Sequence, residues 1–131
     1  MIRVYVAGRL DAGAIYYIQN LHRMLTWAAE LRRNGFSVLV PGLDFLLGLF
    51  AGNWEYEDYF DNSQPWLEVA DALFLVPGWE GSPGTLKELE MARKEGIPVF
   101  GKFEELMKWR VEAEEKGKRA AGFRVEGGGD A

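Results

Sequence analysis

The segment Pro77-Gly78-Trp79-Glu80-Gly81-Ser82-Pro83-Gly84-Thr85-Leu86-Lys87-Glu88 holds the densest set of groups able to do chemistry. An apolar run leads into glycines, and the glycines lead into a helical pattern. Ser82 suits the N-cap, and Pro83 suits the first helical position, where a missing N–H costs nothing. The unpaired amides of such a helix start attract phosphate or carboxylate. An ordinary capped loop satisfies the same pattern. The segment lacks the G-x-x-x-x-G-K-[ST] order of a Walker loop and the G-x-G-x-x-G dinucleotide fingerprint. Glu88 falls about one turn into the helix. It is either a surface acid favoured by the helix dipole or a carboxylate directed into a cleft. Glu90 and Lys94 stand at i,i+4, so pairing on a solvated face accounts for Glu90.

A second set lies upstream. Asp58 and Asp61 are spaced i,i+3, which puts them on one helix face beside Tyr56, Tyr59 and Phe60. Paired carboxylates near aromatic rings can hold separated pKa values, as acid–base chemistry requires; an acidic surface uses the same residues. Tyr5 closes the first apolar run near Gly8-Arg9. Its hydroxyl either packs or meets a ligand, and Arg9 either binds an anion or is exposed. His22 lies mid-helix and reads as structural or exposed.

The elements that must position these groups are legible in the hydrophobic pattern. Ile2 to Ala7 is a β-branched and aromatic run ended by Gly8, a buried strand. Ile15, Ile18, Leu21, Leu25, Ala28, Ala29 and Leu31 recur at helical spacing, and Asn34-Gly35 stops that helix. Phe36 to Val40 is a second strand, Asp71 to Pro77 holds a third, and Ile97 to Phe100 is a fourth. Thr85 to Glu95 and Phe103 to Lys116 read as helices. Trp54 to Ala70 reads as mostly helical, with Pro65 opening a second piece. Leu43 to Asn53 crowds large apolar residues between glycines. It is either a buried core segment or an apolar flap or subunit interface. The strands do not alternate polar and apolar residues, so they are buried on both faces in a parallel sheet. The expected fold is therefore a doubly wound Rossmann-like or flavodoxin-like α/β domain over residues 1–116, with helices on both faces. Residues 117–131, rich in glycine, are expected to form a flexible tail. In such sheets the ligand site lies beyond the carboxyl ends of the strands, where the loops 8–13, 41–53 and 78–84 fall.

Composition narrows the chemistry. The chain has 131 residues, no cysteine and one histidine. Thiolate nucleophiles, disulfides and Cys-ligated metals are excluded, as is a multi-His metal site within one chain. The net charge is −5, which argues against a general nucleic-acid binder but not against a small anionic ligand. The opening residues are too short an apolar run for a signal-peptide core, and no stretch approaches the ~20 residues of a membrane span. A soluble cytoplasmic protein is expected. Carboxylates, hydroxyls and backbone amides remain as chemical groups.

Val4-Tyr5-Val6-Ala7-Gly8 resembles the I-Y-x-A-G opening of the nucleoside 2-deoxyribosyltransferase superfamily. Asn20 and the Gly35-to-Pro41 strand support the likeness. Gly84-Thr85-Leu86-Lys87-Glu88-Leu89-Glu90-Met91-Ala92 is similar to the family's G-x-x-x-E-[LI]-G-x-A, and Gly96-Ile97-Pro98-Val99 follows in the usual place. The resemblance covers about residues 2–100. It implies cleavage or transfer at the N-glycosidic bond of 2′-deoxyribonucleosides or their 5′-monophosphates, without a cofactor or metal. The glutamate matching Glu88 would attack the anomeric carbon, giving a covalent intermediate as in a retaining glycosidase. The Tyr5 hydroxyl would orient it. Gly8, Arg9, Trp79, Ser82, Gly84 and Thr85 would form the substrate cradle. A homodimer is expected, because the Leu43–Phe50 run needs cover.

The chain departs from the family in three places. Ser82 replaces the acidic residue that the transferases carry six positions before the glutamate. This resembles the 2′-deoxynucleoside 5′-phosphate N-hydrolases and favours a monophosphate. Ser63 stands where those hydrolases place an aspartate, so Asp61 or Asp58 would have to serve as acid. Glu90 replaces a glycine. The same loop also resembles the P-G-G-x-G-T-x-x-E segment of cytokinin-activating phosphoribohydrolases, but with three extra residues between its halves. A non-catalytic nucleotide-binding module would share the cradle.

Overall fold

The computed structural model describes residues 1–10, 13–52 and 54–128. The chain divides into two compact units, residues 1–101 and 102–131.

The first unit contains strands β1 (Arg3–Ala7), β2 (Ser37–Leu39), β3 (Ala72–Leu75) and β4 (Val99–Phe100). Its helices are α1 (Gly13–Arg33), α2 (Asp44–Ala51), α3 (Tyr56–Glu68) and α4 (Pro83–Lys94). The four strands form one sheet in the order β2-β1-β3-β4, and every pairing is parallel. The doubly wound α/β fold expected from the pattern is the fold observed. Tyr5 lies between Leu39 of β2 and Leu73 of β3.

Strand alternation sorts the core into two layers. On one face Tyr5, Ala7, Leu73 and Leu75 meet Leu67 of α3 and Leu89 and Ala92 of α4. Val4, Val6 and Phe74 are equally buried but alternate with these, and the ring of Trp27 on α1 lies 5.4 Å from that of Phe74. Helices thus cover both faces. Tyr5 is on the α3–α4 face, and that decides which side of the sheet carries the polar cluster described below.

Two local expectations change. Pro65 does not open a new helix, for α3 is continuous through it. Pro65 is exposed, and its missing N–H leaves the carbonyl one turn earlier without its usual donor. The segment from Leu43 to Gly52 is not a buried core piece; Asn53, the last residue of that expectation, lies outside the described residues. Most of it is α2, where Leu46 and Leu47 are exposed and Phe50 is 90% exposed. The buried side of this region is aromatic. Phe45 packs on Tyr17 at 4.6 Å and on Tyr59 at 5.8 Å. Gly48 sits directly under the Tyr59 ring, with no room for a side chain.

The second unit carries α5, Phe103–Gly128. Its backbone is helical past Lys116, where the closing helix is expected to end. Alanine, lysine and arginine at 118–121 favour helix strongly enough to continue past Gly117.

Candidate functional site

β1 and β3 are the strands from which the connections depart in opposite directions along the sheet, β1 to β2 and β3 to β4. This is the topological switch point, where open parallel sheets place ligands. Three elements bring polar groups to it.

β1 supplies Tyr5, which is 1% exposed. Its hydroxyl donates a hydrogen bond to Glu88 Oε2. α4 supplies Glu88, only partly buried by surface but with its carboxyl turned inward. Burial pushes the Glu88 carboxyl up to about 7, and the Tyr5 hydrogen bond pulls it the other way. Burial first, and the Glu88 charge second, also raise the Tyr5 hydroxyl above its ordinary value. The tyrosine is therefore a firm hydrogen-bond donor, and the glutamate is poised between acid and carboxylate near neutrality.

α3 supplies Ser63 and Tyr56. Ser63 interacts with the Tyr5 hydroxyl and opposes its rise. Ser63 Oγ also lies 3.3 Å from the Phe60 carbonyl. Tyr56 lies across the first turn of α4, where a Cβ on Gly84 would meet the Tyr56 hydroxyl oxygen at 3.3 Å. The Lys87 ammonium sits 4.9 Å from the Tyr56 ring centre and 5.9 Å from that of Phe60.

The α4 start is built as its sequence indicates. Ser82 is the N-cap and accepts from the Thr85 backbone N–H at 3.2 Å, with Pro83 following. Thr85 Oγ1 lies 3.1 Å from Ser82 Oγ. Both residues are buried, so in this arrangement they shape the turn more than they present surface. Gly78 has a φ of +93°, a left-handed conformation that glycine adopts without strain. It turns the chain from β3 toward the short 3-10 turn Trp79–Gly81. Arginines from elsewhere lie against that turn. A Cβ on Gly81 would meet Arg9 Nη1 at 3.1 Å, and one on Gly78 would meet Arg23 Nη1 at the same distance. Arg23 carried no motif, and only the fold brings it here. Trp79 packs against the core cluster of the Tyr5 face. Gly8 permits close packing, since a Cβ there would meet Met24 Cε at 3.0 Å and Val76 Cβ at 3.1 Å.

Asp58 and Asp61 do not join the cluster. Asp58 is the third residue of α3 and closes a capping box with Glu55, accepting from the Glu55 N–H at 2.8 Å. Both aspartates are exposed. Tyr56, Phe60, Ser63 and Leu67 form one stripe along α3, and at ~100° per residue Asp58 and Asp61 lie roughly 170° and 130° round from its centre. Their i,i+3 spacing does place them on a common face, but it is the face turned from Tyr5. The signal for the functional face was the 56-60-63-67 spacing.

A groove of about 1060 Å³ runs along β2, with Leu25, Val38, Pro41, Leu47, Ser63 and Trp66 among its lining. Of the cluster, only Ser63 borders it. Among the described residues, no group of three His, Asp or Glu side chains is placed to hold a metal ion, and no helix is long and apolar enough to cross a membrane.

The model of a domain of unknown function, DUF4406, matches residues 2–101. The chain belongs to the DUF4406 family. The match spans the whole sheet and all of the Tyr5–Glu88 cluster, so these are features of the DUF4406 region. No curated protein and no solved structure matches the chain.

Proposed function

We propose that this DUF4406 protein cleaves or transfers at the N-glycosidic bond of 2′-deoxyribonucleotides or 2′-deoxyribonucleosides, with Glu88 as nucleophile. The observation that carries the reading is the Tyr5–Glu88 hydrogen bond at the switch point of a parallel sheet. It aims one carboxylate oxygen and leaves the other for the anomeric carbon. The resemblance to nucleoside 2-deoxyribosyltransferases supports the same roles for the same residues. The raised Glu88 carboxyl is consistent with a group shaped for covalent chemistry and not for solubility. The Arg9 and Arg23 guanidinium groups beside the 78–81 turn suit a 5′-phosphate. We read the chain as a soluble cytoplasmic homodimer.

A second reading is a nucleotide-binding module without turnover. The outward placement of Asp58 and Asp61 favours it, since these were the acids expected to assist the leaving base. Incubation with a panel of deoxynucleosides and deoxynucleotides, followed by chromatography, separates the two. Base release by wild type and not by Glu88→Gln is the expected result. Tight binding without release, unchanged by an acceptor base, sinks the enzymatic reading.

A further inference from the structure

Resting on the glycosidic reading above, we propose that the Tyr56 hydroxyl is the proton donor to the leaving base. A base departing from C1′ carries an electron pair that needs a proton. Asp58 is engaged at the α3 N-terminus, and Asp61 lies on the far side of the helix. The Tyr5 proton is committed to Glu88. Ser63 holds the position nearest Tyr5, but an aliphatic hydroxyl is a far weaker acid than a phenol.

Tyr56 meets the geometric requirements. It begins the α3 stripe that faces the cluster, and its hydroxyl lies against Gly84. Gly84 and Glu88 are i,i+4 and share a face of α4, roughly 5.4–6 Å apart along the helix. A hydroxyl over Gly84 therefore lies on the side of α4 that carries Glu88. Glycine at 84 lets the phenol lie close to the helix, where a Cβ would press on its hydroxyl at 3.3 Å. Tyr56 is 44% exposed, so it stands where the cluster meets solvent. Phe60 stacks beside the ring at 6.2 Å. The Lys87 ammonium over the same ring favours the negative charge that proton donation leaves behind.

The steps balance. A Glu88 carboxylate oxygen bonds to C1′ as the C1′–N bond breaks. The departing pair takes the Tyr56 proton, leaving neutral base, a glycosyl ester and a phenolate. Water then attacks C1′ while the phenolate takes its proton, and the ester bond breaks to regenerate the carboxylate. An acceptor base with an N–H replaces water in transfer.

The test compares wild type with Tyr56→Phe, which keeps the ring, its stack and the lysine contact. Each deoxynucleotide that wild type cleaves is paired with its ring-halogenated derivative, whose more acidic base leaves with less need of a proton. Tyr56→Phe is expected to lose about 10²-fold or more in kcat on the ordinary base. It should recover at least tenfold of this on the halogenated one, and the alkaline limb of the wild-type pH profile should vanish. Equal losses on both bases with the limb retained, or no loss, overturn the assignment while leaving the glycosidic reading intact. Failure of wild type to release base from any deoxynucleotide or halogenated derivative tried overturns that reading and the assignment with it.

Discussion

Two tyrosines bury their hydroxyls in different parts of this molecule, and they are treated in opposite ways. The Tyr5 hydroxyl, at the switch point of the sheet, donates to Glu88. The Tyr17 hydroxyl, among the rings of Phe45 and Tyr59, has no hydrogen-bond partner among the described residues. Burial raises the pKa of both, with Glu88 adding to the rise at Tyr5 and Tyr59 at Tyr17. A buried hydroxyl without a partner costs about 1–3 kcal/mol. At Tyr17 the ring supplies packing and the oxygen is a liability. At Tyr5 the polar pair is itself expensive, because a carboxylate is held out of water. The costly pair spans an interior strand and α4, where an apolar pair would pack without that cost.

The contrast can be broken most forcefully at Glu88. Glu88→Gln should reduce base release on the order of 10³-fold or more, read by chromatography, since the amide cannot serve as the nucleophile. Tyr5→Phe should cost roughly 10²-fold through misplacement of the carboxylate. The nucleophile must be ionised, so wild-type activity should rise with pH through a midpoint near 7. Loss of the tyrosine hydrogen bond, which favours the carboxylate, should move that midpoint upward. A midpoint that stays or falls would contradict the arrangement.

Stability should move the other way. The Glu88 pKa is raised in the folded state from 4.5 to about 7. Below 4.5 both states are protonated and nothing is lost. Between those values the unfolded chain ionises first, so stability falls as pH rises. Above 7 the penalty is complete, about 3 kcal/mol. Glu88→Gln should therefore unfold at higher denaturant than wild type at pH 8 and at nearly the same denaturant at pH 4. Tyr17→Phe should add about 1 kcal/mol in the same measurement at any pH between 5 and 8, with activity unchanged. The smallest effect is expected at Asp61→Asn, which should alter neither activity nor stability by a measurable amount. A substantial loss of activity there would restore Asp61 as an acid.

Much of this was legible in the residues themselves. The unalternated strands, the Asn34-Gly35 stop and the Ser82-Pro83 helix start each state a local physical requirement, and the fold meets them. Tyr5 and Glu88 were legible as candidates through motif order, though neither residue's surroundings were. The acids on α3 were not placed correctly, because i,i+3 spacing says that two residues share a face but not what the face meets. Leu67, Phe60 and Tyr56 carried that information in their own spacing. Arg23 was illegible, since its approach to Gly78 depends on how α1 crosses the sheet. The exposed apolar residues of α2 were half legible. Their crowding was plain, but packing of Phe45 and Gly48 against rings from α1 and α3 decides which side is buried.

The position of β1 in the sheet has a consequence for how the chain comes to its shape. β1 is made first yet lies in the interior of the sheet, paired on one side with β2 and on the other with β3. The Arg3 N–H is bonded to Asp71, 68 residues away, and Tyr5 to Glu88, 83 residues away. Contacts of such separation close late and slow the search. A chain growing from its N-terminus can form the β1–α1–β2 half early, with one edge of β1 still open. The Tyr5–Glu88 pair then assembles only after α4 has been synthesised and packed, so it reports the docking of α4 on the sheet.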